Sequence, residues 1–179
     1  VAFAFVDHGH APAEDFDERV TSGYAAKGAA LDLGRGVLEG VVHPAAHVQV
    51  PLAMMNRHGL IAGATGTGKT KTLQLLAEQL SRNGVPVFAA DIKGDLSGIT
   101  RAGEASEKVT ARVSEMQIEW SPAGFPAAFW SLGGNGPGVP IRATVDSFGA
   151  DLLAKVMGAN ETQRSSLALV FHYARDRGL

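Results

Sequence analysis

The stretch His58-Gly59-Leu60-Ile61-Ala62-Gly63-Ala64-Thr65-Gly66-Thr67-Gly68-Lys69-Thr70 decides how this chain is read. Its last eight residues follow the pattern G-x-x-x-x-G-K-[ST] of a phosphate-binding loop. A triphosphate carries dense negative charge and needs many donors at close range. Glycines let the backbone curl so that successive N–H groups point inward, and they remove side chains that would block the phosphate. Within this loop of Gly63, Ala64, Thr65, Gly66, Thr67, Gly68, Lys69 and Thr70, the Lys69 ammonium can reach the β/γ-phosphates. The Thr70 hydroxyl is placed to ligate Mg²⁺.

The flanks supply the context that the pattern needs. His58 to Ala62 is a short apolar run, which predicts a buried parallel strand. From Thr70 to Asn83, Leu73, Leu76, Ala77 and Leu80 fall at i, i+3, i+4 and i+7, one apolar face of a helix. Gly84 follows as a natural helix stop. The helix start adds its positive dipole end to the anion site. Val85-Pro86-Val87-Phe88-Ala89-Ala90-Asp91 predicts a second strand, with Pro86 near its start, where proline is tolerated. Asp91-Ile92-Lys93-Gly94-Asp95 then forms the loop at that strand's carboxyl end, the edge where open α/β sheets bind ligands. Asp91 and Asp95 are candidates to orient the attacking water, or a metal-bound water, near the γ-phosphate. The plainer alternative is that each acid hydrogen-bonds local backbone N–H groups.

Gly63-Ala64-Thr65-Gly66 also resembles the start of a dinucleotide-binding turn, with Asp91 as a ribose ligand. That pattern needs glycine at position 69, where helix and strand pack closely. Lys69 opposes close packing but serves a γ-phosphate, so ATP or GTP is favoured over NAD(P).

The remaining chain sets bounds. Its 179 residues suffice for a medium domain, and 45% apolar with 19% charged residues is ordinary for a globular protein. The absence of cysteine excludes disulfides, thiolate zinc sites and cysteine nucleophiles. No apolar run approaches the roughly 20 residues that cross a bilayer. Val1 to Val6 is apolar but short and lacks a basic flank, so it does not read as a secretory signal, and a cytoplasmic location is expected. The net charge is −2. Residues 1–22 hold Asp7, Glu14, Asp15, Asp17 and Glu18 against Arg19; removing these from 18 acidic and 16 basic residues leaves 13 against 15. No basic run marks a nucleic-acid footprint. The six histidines show no metal spacing. Arg57, Arg142 and Arg164 read as ordinary surface arginines, and Trp120 and Trp130 as core or partly buried anchors.

Three segments are expected. Residues 1–22 read as an acidic, poorly ordered lead. Residues 23–55, with Gly34, Gly36, Gly40 and Pro44 between short apolar pieces, read as a small β-rich entry segment. Residues 56–179 read as an incomplete P-loop core of the α/β class, a mostly parallel sheet with flanking helices. Within it, Ser106–Met116 predicts a helix, and 129–132 and 140–145 predict short strands. Ser147 opens a helix to about Met157, and Asn160-Glu161-Thr162-Gln163 forms a capping box before a last helix. The chain does not begin with Met, and it ends directly after that helix, so it reads as a fragment of a longer protein.

Residues 56–70, together with Val85 to Gly98, Gly138 to Val145 and Asn160 to Gln163, resemble the bacterial helicase HerA-like ATPases of the HerA–FtsK superfamily. The likeness runs from about Tyr24 to the end; residues 1–22 do not match. It implies an ATP-driven motor domain, usually a homo-oligomeric ring, related to pumps that move DNA. It places phosphate binding on Gly63 through Lys69 and Mg²⁺ binding on Thr70, and it sets Asp91–Asp95 at an acidic D-x-x-G-[ED] loop near the nucleotide. The family is longer than this chain. No apolar run ending in Asp-Glu follows residue 95, and the later arginine finger is missing, so groups needed for efficient hydrolysis are absent. A nucleotide-binding module without turnover and an NAD(P)-dependent oxidoreductase are the rival expectations.

Overall fold

A computed structural model describes residues 15–179; residues 1–14 of the expected acidic, poorly ordered lead lie outside them, and residues 16–22 are ordered instead, in a helix that buries Phe16 and Val20. The chain is of mixed α/β type and divides into two compact units, one ending at Ala127 and the other spanning Ala128–Leu179.

In the first unit, helix α1 (Phe16–Gly23) precedes an antiparallel hairpin of β1 (Ala30–Leu38) and β2 (Val41–Pro51). The hairpin turn is Glu39-Gly40, both at positive φ (50° and 82°). Positive φ at both central residues twists a two-residue loop the same way as its flanking strands. Register runs from Ala30 opposite Pro51 to Leu38 opposite Val41, with irregularities at Asp32/Gly34 and Arg35/Gly36. The buried core sits here. Phe16 and Val20, one helical turn apart on α1, pack against Ala46 and Val48 of β2, with Leu33 and Leu38 at the margin. Polar contacts fix the helix on the strand. His43 Nδ1 lies 2.8 Å from Asp17 Oδ1, the two rings of Phe16 and His43 meet edge-on at 4.8 Å, and Thr21 Oγ1 donates to Ala45 O at 2.9 Å.

Helix α2 (Lys69–Arg82) follows, then a 3₁₀ turn at Ser97–Thr100 and helix α3 (Glu107–Glu115), capped by Ser106. The apolar spacing that predicts α2 is matched within a residue at each end. The helix stops as the glycine signal predicts: the Gly84 N–H donates to Ser81 O and the Val85 N–H to Leu80 O, the paired bonds that satisfy terminal carbonyls. The Gln79 side chain ties α2 to the hairpin. Its Oε1 accepts from the Asp32 N–H and its Nε2 donates to Asp32 O, both at 2.7 Å. β1 pairs on one side only, and at Asp32 a side chain takes both main-chain groups.

Among the described residues, the expected parallel sheet around the glycine loop is not found. Neither 58–62 nor 85–91 lies in a hydrogen-bonded ladder; the sheets are the antiparallel β1–β2 pair and a separate two-stranded one. A strand needs a neighbour to complete its ladder, and among the described residues these two runs have none. Leu60 in the first run is 89% exposed.

The second unit holds the parallel pair β3 (Trp130–Leu132) and β4 (Val139–Ile141), then α4 (Val145–Val156) and α5 (Glu161–Asp176), which pack on each other. β4 is shorter than expected because Thr144 starts the next helix. The Thr144 hydroxyl, rather than Ser147, is the cap, accepting from the Ser147 N–H at 3.1 Å. Helix α4 is interrupted at Gly149. Arg164 pairs with Asp151 and Arg175 with Asp146 across α4 and α5. Trp120 and Trp130 are 42% and 56% exposed, so neither is a core anchor.

Candidate functional site

The glycine loop and the first turn of α2 form a curl closed by Lys69. Its Nζ folds back to donate to Gly63 O at 2.7 Å and to Ala64 O at 2.6 Å. The Thr67 hydroxyl donates to Ala64 O at 2.9 Å, and the Thr67 N–H points to the same carbonyl. An ammonium has three donors. With two engaged by the loop, Lys69 is held at its mouth and keeps a third N–H for an anion.

Two glycines make this geometry possible. A Cβ at Gly63 would strike the Thr67 hydroxyl, so only glycine lets the loop close on itself there. Gly68 takes φ 98°, a left-handed conformation that side-chain-bearing residues rarely adopt, and serves as the N-cap of α2. It offers no side-chain cap. The first intrahelical bond in this turn is from the Thr72 N–H to Gly68 O at 2.9 Å, so the amides of Lys69, Thr70 and Lys71 have no helical carbonyl to meet. A helix that opens on uncapped amides and a basic residue has the donor set of an anion site. These residues fit a phosphate.

Thr70 meets the acidic loop. Its Oγ1 donates to Asp95 Oδ2 at 3.0 Å. Donating its only proton to a carboxylate leaves the oxygen lone pairs of Thr70 for a hard cation, so the donor set also fits Mg²⁺. Asp91 faces inward to its own loop. Its Oδ1 accepts from the Gly94 N–H at 2.8 Å and its Oδ2 from the Leu96 N–H at 3.0 Å. These bonds, Leu96 foremost, hold the Asp91 carboxyl below the usual aspartate range. On α2, Glu78 is shifted upward, chiefly by partial burial.

The structure thus brings Gly63–Thr70 and Asp95 together and places Asp91 behind Asp95, engaged by main-chain amides. It also adds Gln74, which no motif in the sequence singles out. Gln74 Nε2 donates to Asp95 O at 3.0 Å. The available signal was its spacing: Gln74 lies four residues after Thr70 and shares its helix face. Arg164 is engaged with Asp151, and Arg57 and Arg142 are exposed. Among the described residues, no helix is long and apolar enough to cross a membrane.

No curated protein and no solved structure matched the chain. A family model, that of the helicase HerA-like C-terminal domain, matches residues 38–179, which include the glycine loop, α2, the acidic loop and everything after them. This chain belongs to the helicase HerA-like C-terminal family.

Proposed function

We propose that residues 63–70 bind the phosphates of ATP with Mg²⁺, and that the chain is the nucleotide-gripping part of a HerA/FtsK-like motor ATPase. The observation that carries the reading is the pairing of an uncapped α2 N-terminus with Lys69 and Thr70, inside a chain of this family. Main-chain amides of the loop and first helical turn hold the phosphate oxygens. Lys69 turns its ammonium to the terminal phosphates and stabilises charge as water attacks in line. Thr70 holds Mg²⁺, which when bound neutralises phosphate charge. Asp95 keeps the Thr70 hydroxyl oriented, and Asp91 shapes the loop that carries Asp95. Movement of DNA by a homo-oligomeric ring is the use to which such a motor is put in this reading, and family membership supports it.

The test is calorimetric titration of the chain with ATP and Mg²⁺, with Lys69→Ala alongside. Binding weakened roughly 10–100-fold in the variant is expected; equal binding by both would remove the loop from the function. NADPH serves as the competitor, and tighter NADPH binding would favour an oxidoreductase instead.

A second reading, binding without turnover, is favoured by one observation. Both Asp91 oxygens accept from loop amides and one Asp95 oxygen accepts from Thr70, so Asp91 serves the shape of its own loop. It predicts Mg²⁺-ATP binding with phosphate release at the background rate, and rapid release by the purified chain would reject it.

A further inference from the structure

We propose that Gln74 is a positioning residue of the Mg²⁺-ATP site, fixing Asp95 against Thr70 through the main chain. The proposal rests on the reading of Gly63–Thr70 as that site. Asp95 is fastened to α2 at two points. Its carboxylate accepts from Thr70 and its carbonyl accepts from Gln74, each at 3.0 Å. One bond to an exposed carboxylate would let the side chain swing; a second bond to the same residue's backbone sets both its place and its rotation. Thr70 and Gln74 can share this task because residues four apart stand one above the other on a helix.

Gln74 is itself oriented. Lys71 Nζ donates to Gln74 Oε1 at 2.9 Å, which places the amide oxygen toward lysine and leaves the NH₂ for Asp95 O. Lys71, Gln74 and Asp95 therefore form a short relay on the outside of the site. Upstream, Asp91 ties the Gly94 and Leu96 amides into one loop. The loop is thus tied to itself by Asp91 and to α2 by Gln74 and Thr70. The consequence for ligand binding is specific. Outer partners that orient a metal ligand tune metal affinity, by about 10–100-fold when they touch the ligand directly. Gln74 acts one residue further out and sets the cation dependence of nucleotide binding rather than phosphate contact.

The discriminating variant is Gln74→Glu. It keeps the size and the acceptor for Lys71 but cannot donate to Asp95 O. Gln74→Ala is its companion, and a thermal melt of each confirms folding. Mg²⁺ is titrated at fixed ATP with a fluorescent ATP analogue as reporter, and ATP binding without Mg²⁺ is measured in parallel. Both variants are expected to need roughly 3–10-fold more Mg²⁺, a fraction of the direct-partner effect, with Mg²⁺-free ATP binding unchanged. In the nucleotide-free chain, the Leu96 and Asp95 amide resonances shift in both variants. Wild-type behaviour of Gln74→Glu, in Mg²⁺ demand and in the amide resonances, would overturn the proposal and leave Gln74 a packing residue. If that happens while Lys69→Ala still weakens binding, the site stands and only the role of Gln74 falls. If Lys69→Ala binds as well as wild type, both fall together.

Discussion

Helices α2 and α5 begin in opposite ways. Helix α5 opens on Asn160, whose Oδ1 accepts from the Gln163 N–H while Gln163 Oε1 accepts from the Asn160 N–H, both at 3.0 Å. Two of its orphan donors are satisfied by the chain itself. Helix α2 opens on Gly68, with no side chain to cap it, and its first residues are instead a lysine folded back on the glycine loop and a threonine bonded to Asp95. Ser106 and Thr144 likewise cap α3 and α4. Stability and ligand chemistry are thereby placed at different helix starts. A cap satisfies amides and stabilises a helix by about 1 kcal/mol; an uncapped start forgoes that and keeps the amides for an anion. The same contrast holds for the acids. Asp91 is engaged by its own loop, whereas Asp95 reaches across to α2.

The comparison can be broken at four points, taken from large effect to small. Lys69→Ala removes a charge-assisted donor and should weaken Mg²⁺-ATP binding roughly 10–100-fold with little change in melting temperature, read by calorimetry and thermal denaturation. Gly63→Val sets branched carbons where the Thr67 hydroxyl stands. It should open the loop and, with about one charged hydrogen bond lost, weaken ATP binding by about 10-fold; wild-type affinity would show that the closed curl is not the binding form. Asn160→Ala should do the reverse of Lys69→Ala, lowering stability by about 1 kcal/mol in denaturant unfolding while ATP affinity stays the same. The smallest effect is electrostatic. Because the folded Asp91 carboxyl sits below its unfolded value of about 3.9, its contribution to loop order is fully present above that pH. It disappears as pH falls through the depressed folded value. The Gly94 and Leu96 amide resonances should therefore titrate together with a midpoint below the unfolded value of about 3.9. A midpoint at or above that value would show that Asp91 does not hold the loop.

Much of this was legible in the residues. The 63–70 pattern, the apolar face of Leu73, Leu76, Ala77 and Leu80, the Gly84 stop and the Asn160–Gln163 box each act over a few neighbouring positions, so they survive reading in one dimension. The parallel sheet was not legible in the same way. Apolar runs at 58–62 and 85–91 show a preference for extension, but a ladder needs a neighbour, and the described residues contain none for either run. Thr144 and Ser147 both carry side chains that can cap a helix, and only the path of the chain separates them.

What the sequence determined by itself is local and chemical: a glycine loop with a lysine and a threonine at a helix start, the helices with their starts and stops, and membership in a helicase HerA-like family. Which distant groups meet is set by the folded chain. Thr70 finds Asp95 across 25 residues, Gln74 finds the Asp95 carbonyl across 21, and Gln79 finds Asp32 across 47. The reason is physical. Propensity and capping depend on neighbours along the chain, whereas these bonds require loops to close and a helix to rotate one face toward them. Spacing alone shows which residues share that face, and the fold shows what they face.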